Sequence, residues 1–167
     1  VYEDVTIELK AFTETAAAGD YRYGIIFRRA KDSFYAFVIS PNTQKWYVLK
    51  SSTNALEILR EGTYDDEQGL GSEDTLRVDI KGGTFFLHVN NQLVGQNGDF
   101  SYVNGEVGLF VETLDSPSVS IYFNELTIRE FQSPLIEANC TNGVDDDSDG
   151  LIDKADPDCL SSTLIPF

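Results

Sequence analysis

From Val5 to Ile128 the chain repeats one pattern, in which apolar and polar side chains alternate over short runs separated by turns. Val5, Ile7, Leu9 and Ala11 alternate with Thr6, Glu8 and Lys10. Tyr23, Ile25 and Phe27 follow, then Tyr35, Phe37 and Ile39. Later come Leu76, Val78 and Ile80, then Phe85, Leu87 and Val89, then Val107, Leu109 and Val111. Val119, Ile121 and Phe123 lead to a last stretch around Ile128. Successive side chains of a strand point to opposite faces, so a period of two predicts strands with one face buried and one wetted. A helix would need apolar residues three or four apart, and no segment shows that spacing.

The runs are broken by turn-forming residues: Ala16-Ala17-Ala18-Gly19-Asp20, Pro41-Asn42, Gly82-Gly83, Asn90-Asn91, Gly95 to Gly98, and Ser116-Pro117. Tyr64 to Ser72, rich in Asp, Glu and Gly, reads as a long loop. Many short antiparallel strands with tight turns predict an all-β fold, an antiparallel jelly-roll β-sandwich over residues 1–131. A linker is expected over 132–139, a calcium-binding loop over 140–159 and an apolar tail over 160–167.

Four stretches carry a family resemblance. They are Asp74-Thr75-Leu76-Arg77-Val78-Asp79-Ile80-Lys81-Gly82-Gly83, Phe86-Leu87-His88-Val89-Asn90-Asn91, Gly105-Glu106-Val107-Gly108-Leu109-Phe110, and Val119 to Ile128 with Phe123-Asn124. Together with Tyr23-Gly24-Ile25-Ile26-Phe27-Arg28 and Tyr35-Ala36-Phe37, they resemble the concanavalin-A-like, laminin-G-like jelly rolls of secreted bacterial proteins. The resemblance implies the fold; it does not select a function, because that fold hosts lectins, hydrolases and plain spacers. It also implies that Arg28 is a buried structural arginine. Members of the family carry a strand or two before the position of Val1. The missing piece is expected either in a removed upstream region or from another chain, with the tail Leu164-Ile165-Pro166-Phe167 as one donor. The chain has no methionine, so it is expected to be a processed or excised piece.

Near the C-terminus stands Asp145-Asp146-Asp147-Ser148-Asp149-Gly150-Leu151-Ile152-Asp153-Lys154-Ala155-Asp156. A hard divalent cation takes six to eight oxygens, and a tightly curled backbone supplies them from consecutive sequence. Asp145, Asp147 and Asp149 offer alternate carboxylates, Gly150 allows the sharp turn, and the Leu151 carbonyl falls where a backbone oxygen ligates. Asp153 and Asp156 close the sphere. A solvated acidic tail would explain the charge but not the glycine and the strict alternation. Ca²⁺ suits the set better than Mg²⁺, which demands a tighter octahedron and keeps its waters. Cys140-Thr141-Asn142-Gly143 before the loop reads as a turn, and Pro157 after it opposes a continuing helix. The loop therefore resembles a thrombospondin type 3 repeat, and equally the C-x-N-G-x-D-x-D-x-D-G…D-P-x-C segments of secreted bacterial proteins, rather than a helix–loop–helix hand, although only one copy is present.

Cys140 and Cys159 bracket the loop and predict a disulfide, which in the chain-entropy model contributes on the order of 3 kcal/mol. Metal and disulfide together are expected to order a segment with almost no apolar core, fixing the path from Phe131 to the tail. An oxidising, calcium-rich exterior follows: a secreted or cell-surface protein. Asn139-Cys140-Thr141 is formally a glycosylation sequon.

The formal net charge is −16, from 28 acidic and 12 basic residues, with no basic stripe to meet phosphates. Nucleic acid and anionic membranes are therefore poor partners. No apolar run reaches a membrane-spanning length, and no signal peptide stands at the start.

No residue is expected to be catalytic. The E-x-D-x-x-E strand of laminarinase-type hydrolases is missing, and Glu57, Glu61, Glu106, Glu112 and Glu125 read as carboxylates isolated on separate strands. No G-x-S-x-G elbow accompanies His88, the single histidine. Sugars are held by aromatic platforms and planar polar groups. Trp46, Tyr47, Tyr35, Arg29, His88 and Tyr122, with Arg28, are the candidates to share one sheet face; the alternative for the aromatics is the core.

Two functions remain open. One is a non-catalytic extracellular module that recognises a glycan or a surface protein in a lectin-like manner, stabilised by Ca²⁺. The other is a structural subunit that assembles with copies of itself into a filament or surface layer by strand exchange. A glycoside-active enzyme is the third. Calcium is expected to raise the melting temperature and EDTA to lower it. An unchanged melting curve after verified metal removal would reject the calcium loop.

Overall fold

The computed structural model describes residues 4–16, 18–53, 55–65 and 71–130. The linker, the calcium loop with Asp145, Asp147, Asp149, Leu151, Asp153 and Asp156, the cysteines Cys140 and Cys159, and the apolar tail lie outside the described residues. Every element among the described residues is a strand: β1 (Val5–Ala16), β2 (Arg22–Ala30), β3 (Ser33–Ser40), β4 (Lys45–Ser52), β5 (Ala55–Thr63), β6 (Asp74–Lys81), β7 (Thr84–Val89), β8 (Gln92–Gly98), β9 (Glu106–Glu112) and β10 (Val119–Glu130).

They form two five-stranded sheets. The first has the order β10-β1-β6-β7-β8 and the second β5-β4-β3-β2-β9, with all neighbours antiparallel. This is the expected all-β sandwich. The alternation predicts which side chains meet inside. Ile7, Leu9, Ala11, Leu76, Val78, Phe85 and Leu87 of the first sheet and Tyr23, Ile25, Phe27, Tyr35, Phe37 and Ile39 of the second are fully buried in one core. Buried tyrosines keep partners for their hydroxyls: Tyr23 donates to Asp74 (2.7 Å) and Tyr21 to Thr13 (2.9 Å).

Several strands, β3, β4, β5 and β8 among them, carry no clean alternation. In β4, Trp46 and Val48 face the shared core, while Tyr47 and Leu49 join Ala36 and Val38 in a second cluster on the other face of the same sheet. A strand buried on both faces reads as a continuous apolar run. β5 is mostly exposed. The stretch Gly95 to Gly98, expected as a turn, instead lies within β8. The reason is Trp46: a methyl group built at Gly95 or at Gly62 of β5 would fall 2.5 or 2.6 Å from its indole carbons. Glycine in both strands lets the ring lie against their backbones, and Arg60 of β5 donates to the Gln96 carbonyl of β8 beside it. These contacts close one flank of the sandwich.

Among the described residues the opposite flank, between β9 and β10, is less fully covered, although Val107, Val119, Ile121, Phe123 and Ile128 pack against the core. Ile25 pairs with Leu109, Tyr23 with Val111 and Leu9 with Leu126, so all three partners point inward. Yet they are 42%, 47% and 41% exposed. The loop from β8 to β9 is pinned from inside: Tyr35 donates to Asp99, Lys50 pairs with Asp99 at 3.0 Å, and the Tyr102 hydroxyl donates to the Ser51 carbonyl.

Gly95→Ala is expected to lower stability by about 1–3 kcal/mol through overpacking against Trp46. Gly98→Ala, in the same strand with nothing nearer than a carbonyl at 3.9 Å, serves as the neutral control. Urea denaturation of both variants measures the difference.

Candidate functional site

The outer face of the first sheet collects planar polar groups that a two-residue hairpin sets in register. Gly82-Gly83 joins β6 to β7, with Gly82 at φ +54°, a conformation glycine adopts without strain. Lys81 therefore pairs with Thr84, Asp79 with Phe86 and Arg77 with His88. On the other side of β6, Asp79 pairs with Thr6 and Arg77 with Glu8 of β1. Since cross-strand partners point to the same side and Val78 points to the core, Thr6, Glu8, Arg77, Asp79, Phe86 and His88 all lie on the outer face.

Asp79 is the centre of this cluster. It accepts from the Thr6 hydroxyl at 2.8 Å, and Arg77 Nε and His88 Nδ1 stand 3.3 and 3.6 Å from its second oxygen. Neither nitrogen makes a hydrogen bond in this arrangement, although both are buried. Burial holds the His88 pKa below the ordinary histidine value; the Arg77 charge adds to this and Asp79 opposes it. The ring is thus neutral near pH 7, with one nitrogen able to donate and one to accept. Glu8 and Arg129 of β10 approach to 3.7 Å, and Lys10 pairs with Glu125 at 2.7 Å further along the face. Beyond them Phe12 and Tyr122 stack at 5.4 Å.

The residues proposed from the sequence do not converge. His88 and Tyr122 share this outer face, on β7 and β10. Tyr35 and Trp46 lie in the core, Tyr35 fully buried and its hydroxyl pushed up to about 12 by burial and by Asp99. Tyr47 sits on the outer face of the second sheet under the Arg22 guanidinium, 5.1 Å from the ring centre. Arg29, at the exposed end of β2, donates to the Lys31 carbonyl at 3.2 Å. The shared face expected for these residues is therefore corrected: period-two faces and two separate sheets divide them. Arg28 is buried, as the resemblance implied. Its guanidinium donates to the carbonyls of Gly82 and Tyr102 and lies 5.6 Å from the Phe85 ring centre.

The carboxylates are not all on separate strands either. Glu57 and Glu61 share β5, and Glu106 and Glu112 bound β9. Glu112 is engaged with Arg22 at 2.6 Å and Glu125 with Lys10.

Arg77, Asp79, Thr6 and Glu8 were missed as site residues, although a signal existed. A two-residue turn at Gly82-Gly83 pairs any β6 and β7 positions that add to the same number, which places Arg77 beside His88 directly.

No protein-family model and no curated protein matches the chain. Solved structures do. A carbohydrate-binding module, CBM66, from Bacillus subtilis is 16% identical with a TM-score of 0.65, covering 77% of this chain and 76% of that one. The galectin LEC-6 of Caenorhabditis elegans is 13% identical with a TM-score of 0.55, covering 77% and 84%. A mutant of the GH43 protein BlXynB from Bacillus licheniformis is 11% identical with a TM-score of 0.61, but this chain covers only 28% of its length. At such identities the likeness establishes the β-sandwich fold.

The chain's single histidine gives one imidazole resonance to follow by NMR. It is expected to titrate below the ordinary histidine value in the wild type and lower still in Asp79→Asn, which removes the group that raises it. A wild-type titration at or above the ordinary value would contradict the described packing.

Proposed function

We propose that the protein is a non-catalytic glycan-binding module that holds a neutral saccharide on the outer face of the first sheet. The observation that carries this reading is the Asp79-centred cluster, which sets the partly exposed Arg77 guanidinium, Asp79 carboxylate and His88 imidazole side by side on the outer face. Sugar hydroxyls donate and accept at once. A carboxylate, a guanidinium and a neutral imidazole within one small patch match that need, and Phe86 beside them offers an apolar surface to a ring face. The net charge of −16 disfavours anionic glycans at long range. The likeness to a carbohydrate-binding module and a galectin supports the reading at the level of fold. The same proposal includes an extracellular or cell-surface setting and one Ca²⁺ held by Asp145, Asp147, Asp149, Leu151, Asp153 and Asp156, with Cys140 joined to Cys159.

A glycan array in calcium, followed by titration of the best ligand, tests the assignment. Arg77→Ala is expected to weaken binding about tenfold or more, the loss of a charged hydrogen-bond donor, while the fold remains. Binding is expected to be level above the ordinary histidine range and to weaken below it, as a second positive charge develops beside Arg77. His88→Gln should abolish that pH dependence. Tight binding by an Arg77→Ala, Asp79→Ala double variant, or no binding across a broad array, would overturn the assignment.

A further inference from the structure

Among the described residues four strands stand at sheet edges: β10 and β8 in the first sheet, β5 and β9 in the second. An edge presents unpaired backbone donors and acceptors, and natural edges are blunted by charges or bulges. Three of these follow that rule. β10 carries Glu125, Arg129 and Glu130 and two register shifts against β1. β5 carries Glu57, Arg60 and Glu61 and one shift against β4. β8 carries an extra residue of its own, Val94, against β7.

β9 does not follow it. Its centre, Val107-Gly108-Leu109-Phe110-Val111, has no charge, and the one irregularity against β2 is an extra residue in β2 between Ile26 and Arg29. Leu109 and Val111 point inward on the less covered flank yet are 42% and 47% exposed. Such a strand has the composition of a sheet interior.

The sequence of β9 is also complementary to itself. Reversed about Leu109, Glu106-Val107-Gly108-Leu109-Phe110-Val111-Glu112 places Leu109 against Leu109 of a second copy and Val107 against Val111. On the outer face it places Phe110 against Gly108, a ring over a position with no side chain, in both directions. Only the ends oppose like charges, Glu106 to Glu112, and Glu112 is already held by Arg22 at 2.6 and 2.9 Å. We propose that two copies of this chain pair β9 to β9 antiparallel about a two-fold axis at Leu109, joining their second sheets into one continuous sheet. The contact uses the same patch on both copies, so it closes at two and does not grow into a filament. It is independent of the glycan reading.

Sedimentation of the full chain over a concentration series tests the pairing. The mass is expected to rise from that of one chain, 18.6 kDa, to twice that value and stop. Gly108→Glu is the disruptive variant. In a single copy the new Cβ meets only the Ile26 Cβ, at 3.8 Å, so its melting curve should match the wild type. In the pair it would displace Phe110 of the second copy, leaving one-chain mass throughout. Glu106→Lys should shift dimerisation to lower concentration, because each new lysine faces Glu112 of the second copy, and added salt should reduce that gain. A wild type that stays at one-chain mass, a mass that climbs past two chains, or a Gly108→Glu variant that pairs as the wild type does would overturn the proposal. Should Gly108→Glu melt early, Glu106→Lys decides alone: an unchanged dimerisation curve overturns it.

Discussion

The inward row of each strand must be covered from two directions, by the facing sheet and by the next strand along. In the middle of this sandwich both are present, and side chains such as Ile7, Leu9, Ile25 and Phe37 retain no exposed surface. At the flanks the second direction is lost, and each flank meets the problem differently. Between β5 and β8 one large ring does the covering: Trp46 reaches Gly62 and Gly95, whose missing side chains make the space. Between β9 and β10 the Phe123 ring packs edge-on against Tyr23, yet Leu109, Val111 and Leu126 stay exposed. The cost of leaving apolar surface wet is about 25 cal/mol per Å², which is small for one side chain and appreciable for a contiguous row.

How much of this was legible in the sequence depended on whether a strand has one wet face. β1, β6 and β7 do, and their alternation identified the core residues and, by exclusion, the outer ones. β4 does not: Trp46, Tyr47, Val48 and Leu49 are all buried, so period two disappears and Tyr47 cannot be told from its neighbours. That is why Trp46 and Tyr47 were grouped with His88 although they belong to another sheet. In β8 Gly95 answers a demand made by Trp46, some fifty residues earlier. A contact that distant leaves no local trace, and Gly95 and Gly98 therefore looked like a turn. Arg77 and His88 were legible in principle, because a two-residue turn fixes register arithmetically, but only when the hairpin is followed outward from Gly82-Gly83.

Charge works on two scales. The whole chain is strongly acidic, which governs long-range encounter and disfavours polyanions. The outer face of the first sheet is locally balanced: Lys10 pairs with Glu125, Arg129 approaches Glu8, and Asp79 stands between Arg77 and His88. At contact distance the pairs matter and the net charge does not, since charges more than a Debye length apart are largely screened. A face built of compensated pairs has directional hydrogen-bonding capacity without a large field. That suits a ligand with many hydroxyls and no charge.

The site and the less covered flank constrain each other through symmetry. A two-fold axis normal to the second sheet turns the second copy within the plane of the sheets and leaves each layer at its own height. Pairing through β9 would then keep both first sheets on the same side, with both Asp79 clusters facing one way. Each face binding alone would suffer the full translational cost of each encounter, whereas two coplanar faces on one rigid sheet raise the effective concentration of the second contact. A glycan-coated surface rewards that arrangement and a single free sugar does not. The exposed inward row of β9 and the polar outer face of β6 and β7 are therefore compatible features of one module: in the proposed pair the first would supply the second copy, and the second the chemistry that the copy repeats.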